Sequence, residues 1–103
     1  MENYDIYWSD FGYEDNPNLS KIRPVLILSD RSGIPLGAKI TKHEPRDITK
    51  GTDYLLKDYE EAGLKLPSTV RLSQRRKIYP IKKIGHISKR DEDEIKKILK
   101  GEK

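Results

Sequence analysis

Pro24-Val25-Leu26-Ile27-Leu28 is the stretch on which the fold turns. Val25 to Leu28 is an unbroken aliphatic run, closed by the turn-forming residues Asp30-Arg31-Ser32-Gly33. So short a run, bounded by turn residues, reads as a strand buried on both faces. The segments on either side agree with it. Tyr4-Asp5-Ile6-Tyr7-Trp8 alternates, with Tyr4, Ile6 and Trp8 on one side, and Asp15-Asn16-Pro17-Asn18 marks the loop between the two. Ala38-Lys39-Ile40-Thr41 alternates again, and Tyr54-Leu55-Leu56 reads as a short strand. In Thr69-Val70-Arg71-Leu72-Ser73 the pattern turns Val70 and Leu72 inward and Thr69, Arg71 and Ser73 outward.

Two segments break this rhythm. Asp58-Tyr59-Glu60-Glu61-Ala62-Gly63 reads as a single helical turn, capped by Asp58, with Glu61 completing a capping box and Gly63 ending it in the left-handed conformation. Near the C-terminus, Ser88-Lys89-Arg90-Asp91 matches a helix cap with an acid at the third position. Glu92 with Lys96 and Asp93 with Lys97 are acid-to-base pairs four residues apart, and Ile95, Ile98 and Leu99 form an apolar stripe. A helix of about three turns is therefore expected to pack on the strands. Five or six short strands with one terminal helix predict a mainly β domain built on a strongly bent sheet or barrel.

The 103 residues fit one domain, spanning 1–103. Hydrophobic residues make up 34% and charged residues 37%, so the core is small and a second surface buried in a homodimer would help the fold. There is no cysteine, which excludes disulfides and thiolate metal sites and suits a reducing compartment. Val25 to Leu28 is far too short to span a membrane, and the polar, acidic start Met1-Glu2-Asn3-Tyr4-Asp5 is unlike a signal peptide. A cytoplasmic location with no membrane partner is the expectation. The net charge of +4 is unevenly spread. The first twenty residues hold five acids and no Lys or Arg, whereas Arg71 to Lys83 holds six basic residues and no acid. Such a band suits phosphate contacts, although charge alone fits a solvated surface equally well.

The same segments, in order, resemble the MazF/PemK toxins. Tyr4-Asp5-Ile6-Tyr7-Trp8-Ser9-Asp10-Phe11 is similar to that family's opening strand, and Lys21-Ile22-Arg23-Pro24-Val25-Leu26-Ile27-Leu28-Ser29 to the strand that begins with Arg-Pro. Ala38-Lys39-Ile40-Thr41-Lys42-His43 resembles the segment ending in Thr or Ser. Ala62-Gly63-Leu64 with Pro67-Ser68-Thr69-Val70-Arg71-Leu72, and then Ile84-Gly85-His86-Ile87-Ser88, resemble the loop, strand and closing segment. The resemblance implies an SH3-like barrel with a C-terminal helix, a two-fold dimer, cleavage of single-stranded RNA without a metal or other cofactor, and a cognate antitoxin. It departs from the family at Ser73, which stands before Gln74 where an acid is often found, and in the basic Arg75-Arg76-Lys77 that follows, read as a loop.

RNA carries its own nucleophile, the 2′-OH beside the scissile phosphate. A site must ease its deprotonation, stabilise the charge of the phosphorane and help the 5′-oxygen leave. Arg23, at the mouth of the buried strand, matches the family's catalytic Arg; its guanidinium can grip two phosphate oxygens, and its high pKa favours charge stabilisation over proton transfer. Thr41 matches the catalytic Thr or Ser, and alternation sets it beside Lys39 and His43. His43 is the natural candidate for proton transfer, or else a loop residue before Pro45. The expected RNA contacts are Lys21, Lys39, Arg46, Ser68, Arg71, Gln74, Arg75 and Arg76; Arg71 could also serve in proton transfer, and Ser68 could simply shape a turn. His86 reads as structural or exposed, and Trp8 and Phe11 as base-stacking, core or interface residues. A non-catalytic module on the same barrel, either a CcdB-like gyrase poison or an RNA-binding member that has lost catalysis, is the alternative, because fold does not fix function.

Overall fold

A computed structural model of the chain describes residues 2–12, 20–29, 33–42 and 52–101. Its elements are β1 (Asp5–Gly12), β2 (Ser20–Ser29), β3 (Pro35–Thr41), β4 (Asp53–Leu55), β5 (Thr69–Lys77), β6 (Tyr79–His86) and α1 (Lys89–Gly101). The strands form one antiparallel sheet in the order β4-β5-β3-β2-β1-β6. The aliphatic run sits in β2, near the middle of that order.

The topology forces the sheet to curl. Lys77 of β5 pairs with Leu36 of β3, whereas Tyr79 of β6 pairs with Asp10 of β1. In a flat sheet β5 and β6 would stand about 19 Å apart, four strand spacings of roughly 4.8 Å. Two residues of chain span at most about 7 Å. The β5–β6 run therefore kinks at Ile78 and closes the sheet into the bent, barrel-like form that the strand pattern predicts. Gly37 permits this crossing: a Cβ there would collide with the Ile78 side chain and press on Val25.

Both faces of β2 are buried, as its sequence requires. Leu26 and Leu28 join Ile6, Ala38, Ile40, Tyr54, Leu56, Ala62, Val70, Leu72, Ile87 and Ile95 in the main core. Val25 and Ile27 pack on the other side with Ile78, against Tyr7. Each aliphatic side chain fully removed from water contributes roughly 1.5–3 kcal/mol. Helix α1 covers the main core through Ile95, with Ile98 and Leu99 packed at its margin.

Several expectations are corrected here. Residues 75–77 continue β5 rather than forming a loop, and β6 was not foreseen as a strand. Its Pro80 is tolerated because β6 ends the sheet, where a missing N–H breaks no inner ladder. Ser88 does cap α1, accepting the Asp91 N–H at 3.2 Å. The Asp91 carboxylate does not reach back to complete the box; it accepts hydrogen bonds from Tyr54 Oη (2.6 Å), Lys57 N (3.0 Å) and Asp58 N (2.9 Å). The Asp58 carboxylate likewise turns to α1, accepting from Ser88 Oγ at 2.5 Å and Arg90 Nη2 at 2.6 Å, so it fastens the helix rather than capping its own turn. Gly63 ends that turn at φ 91°, as expected. Glu92 pairs with Lys96, but Asp93 pairs with Lys89 rather than Lys97.

Candidate functional site

The side of the sheet turned away from α1 collects the polar residues singled out in the sequence. Alternation in β2 sets Arg23 on the same side as Val25 and Ile27. Val25 pairs with Lys39, Lys39 with Arg71, and Arg71 with Asp53, so one row crosses four strands. Residues directly opposite in a ladder share a face. Arg23 lies two residues before Val25, and Thr41 two residues after Lys39, so both stand at the same end of the β2–β3 pair. Thr41 in turn pairs with Thr69.

Arg71 departs most from its expected surroundings. The alternation turns it away from Val70 and Leu72, as predicted, yet it is only 1% exposed, and Thr69 is fully buried. The sheet is covered on both sides here, so facing away from the core does not mean facing water. Arg71 Nη1 donates to Asp53 Oδ2 at 2.7 Å, a pair with both side chains buried. Its other arm, Nη2, is buried and has no hydrogen-bond partner among the described residues. The same holds for Thr69 Oγ1 and for Nε of the half-buried Arg23.

The remaining predicted residues divide. Lys39 is half-buried and Thr41 buried within this arrangement. Lys21 occupies β2 opposite Phe11. His43 and Arg46 lie outside the described residues. Beyond Arg71 the β3–β5 register shifts, so that Ala38 faces Arg75 and Gly37 faces Arg76. Leu72, Ser73 and Gln74 bulge between, and the Leu72 N–H donates to Thr52 O at 2.9 Å. Arg76 thus shares a side with Lys39, while exposed Arg75 lies on the other. Gln74 is half-buried. Ser68 is buried, and its hydroxyl donates to Leu66 O at 2.8 Å, which shapes the turn before β5.

His86 is not part of this group. Its Nδ1 lies 2.8 Å from Asp5 Oδ1. Asp5 is four residues from Ser9, which pairs with Arg23, so the imidazole anchors about 13 Å along the sheet. Burial raises the Asp5 carboxyl, but the hydrogen bonds from His86 and the Glu2 N–H, with nearby Lys83, hold it below the usual value. Trp8 is 41% exposed on the other side of β1.

Sequence reasoning missed Asp53. The strand signal lies in Tyr54-Leu55-Leu56, and only the β4–β5 register shows that the preceding acid meets Arg71. No spacing rule within one chain announces such a cross-strand partner.

What the arrangement offers is a set of fixed cations, hydroxyls and spare N–H donors at one end of a curled sheet, which suits an anion with several oxygens. Among the described residues no group of three or more His, Cys, Asp or Glu is placed to hold a metal ion, and no helix is long and apolar enough to cross a membrane. No curated protein matches the chain closely enough to be counted a relative. Residues 2–101 match the family described as PemK-like, MazF-like toxins of type II toxin-antitoxin systems. With almost the entire length matched, and with the six-stranded sheet and C-terminal helix in place, the chain belongs to the PemK-like, MazF-like toxin family.

Proposed function

We propose that the chain is an endoribonuclease toxin that cuts single-stranded RNA, acts as a homodimer in the cytoplasm and is held in check by a cognate antitoxin. The observation that carries this reading is the placement of Arg23 and Thr41 at one end of the same β2–β3 face, with Arg23 Nε buried and without a partner among the described residues. A buried donor without an acceptor costs about 1–3 kcal/mol, and a phosphate oxygen would relieve it.

In this reading the 2′-oxygen of the RNA attacks the adjacent phosphorus and gives up its proton to a base, for which His43 is the candidate. Arg23 neutralises the charge gathering on the phosphorane oxygens, and Thr41 holds one of them by a hydrogen bond. The bond from phosphorus to the 5′-oxygen then breaks, and that oxygen takes up a proton. The products are a 2′,3′-cyclic phosphate and a 5′-hydroxyl. No water or metal-bound hydroxide is needed as nucleophile, because the substrate supplies its own. Lys21, Lys39, Arg46, Ser68, Arg71, Gln74, Arg75 and Arg76 are the proposed RNA contacts, with Lys39, Arg71 and Arg76 supported by their shared side of the sheet.

Incubation of the purified chain with mixed single-stranded RNA in EDTA, followed by end-group analysis, tests the proposal. Fragments ending in 2′,3′-cyclic phosphate and 5′-hydroxyl are the expected result. RNA left intact across many sequences, by folded chain free of antitoxin, would instead support a toxin that binds a protein target without cleaving RNA.

A further inference from the structure

The Asp53–Arg71 pair has no evident structural purpose. Two ions taken out of water recover their desolvation cost only with full hydrogen bonding, and apolar replacements of such pairs are often neutral or stabilising. Here the bonding is incomplete, since Arg71 Nη2 is buried with no partner among the described residues. The pair joins the three-residue β4 to β5, which already share a ladder and the packing of Tyr54 and Val70. The geometry therefore carries a cost that folding does not explain, and it lies in the row that leads through Lys39 to the Arg23 end of β2.

We propose that Asp53 is a positioning residue: it takes one arm of Arg71 and so holds the guanidinium with its other arm reserved for a phosphate oxygen of single-stranded RNA. This rests on the reading of the chain as an RNA-cutting toxin. A free Arg side chain rotates about several bonds, and locking it beforehand removes the entropy that binding would otherwise lose. Asp53 Oδ2 provides the lock at 2.7 Å. The Thr69 hydroxyl, without a partner among the described residues and two residues before Arg71 on the same side of β5, adds a second group for the same ligand. Because Arg71 is 1% exposed, the chain around it gives way when RNA arrives, and the spare donor gains its acceptor then.

The test uses an RNA oligonucleotide with every 2′-OH methylated, which binds but cannot be cut, and follows the guanidinium signals of Arg71 by nitrogen-15 NMR. In the wild type these signals are expected to move on binding. In Asp53→Asn, which keeps the shape and loses the charge, the movement is expected to vanish while the main-chain spectrum stays native. On cleavable RNA, kcat is expected to fall between about ten- and a hundredfold with KM little changed. Arg71 signals that ignore the bound oligonucleotide, an oligonucleotide that does not bind, or a folded Asp53→Asn that keeps the movement would each overturn the proposal. Should Asp53→Asn fail to fold, Asp53→Glu decides by the same readout: the charge stays but is displaced by one methylene, so a weakened response supports the role and an unaltered one overturns it. The two proposals fail separately. Oligonucleotide bound at Arg71 by a wild type that leaves RNA intact removes the nuclease reading and keeps Asp53, whereas cleavage with Arg71 silent does the reverse.

Discussion

Asp91 and Asp53 are both buried carboxylates, and the chain treats them in opposite ways. Asp91, with no exposure at all, opens α1 and receives three donors: the Tyr54 hydroxyl and the N–H groups of Lys57 and Asp58. Burial and this carboxylate together push the Tyr54 phenol above its ordinary value, so it remains a hydrogen-bond donor at any physiological pH. Asp53 takes one arm of the Arg71 guanidinium, and on the same side of the sheet Arg71 Nη2, Thr69 Oγ1 and Arg23 Nε lie buried without partners among the described residues. Groups that serve only the fold are normally satisfied within it, because each orphan costs free energy. The Asp91 cluster is therefore a fastening, and the unsatisfied groups of the Arg23–Arg71 side of the sheet are what the proposed RNA site rests on.

The contrast breaks first at Arg23. If the orphaned donors serve a phosphate, Arg23→Ala lowers the rate of RNA cleavage by about a hundred- to a thousandfold. Its unfolding midpoint in urea stays close to that of the wild type, because no hydrogen bond within the described fold is lost. Thr41→Ala follows with a smaller loss of rate. Initial rates on a fluorescent RNA substrate, paired with urea melts of each variant, check both halves. Normal cleavage by both variants would mean that the reacting phosphate sits elsewhere.

At Asp91 the expected effects are reversed. Asp91→Ala strands three donors and frees the N-terminal turn of α1, and it should destabilise the chain by about 2–3 kcal/mol in urea unfolding. Below its own melting transition the variant should still cleave RNA at the wild-type rate, because among the described residues no hydrogen bond of the Asp91 cluster reaches the Arg23 side. A loss of activity in folded Asp91→Ala would show that the helix and the site are coupled, and would dissolve the distinction between fastening and site.

How far the sequence foretold these two regions depends on whether the determining contact is local. The Val25–Leu28 run, the turn at Gly63 and the stripe of α1 are all written in neighbouring residues, and each was legible. So was the face of β3 that holds Lys39 and Thr41, because period two fixes it, whereas the place of Arg23 on the same side comes from the β2–β3 register. The fates of Arg71, Asp58 and Asp91 were not legible. Alternation says which way a side chain points but not what covers it, and a curled sheet buries both of its sides. Ser88-Lys89-Arg90-Asp91 looks like a self-contained capping box, yet Asp91 finds better donors in a turn more than thirty residues earlier. β6 escaped notice because its exposed Tyr79, Ile81, Lys82 and Lys83 follow no clean period, and its place beside β1 comes from closure of the sheet.

The smallest effect lies at the rim of the fastening, where Asp58 holds Arg90. Hydrogen bonds from Arg90 and then from Ser88 keep the Asp58 carboxyl below its ordinary value of 3.8, against a weaker opposing effect of burial. A carboxyl whose value is depressed by folding stabilises the fold fully above its unfolded-chain value, and that contribution is lost as pH falls through the lower folded value. The gap in melting temperature between the wild type and Arg90→Ala should therefore be constant from about pH 7 down to about pH 5, then narrow below the ordinary Asp range as Asp58 takes up its proton. The pair is largely solvent-exposed, so the gap itself will be modest and will shrink in salt. Thermal melts across this pH range decide the matter. A gap that persists undiminished into acid would mean that Arg90 acts through the packing of its aliphatic stem rather than its charge, and that the fastening of α1 rests on Asp91 alone.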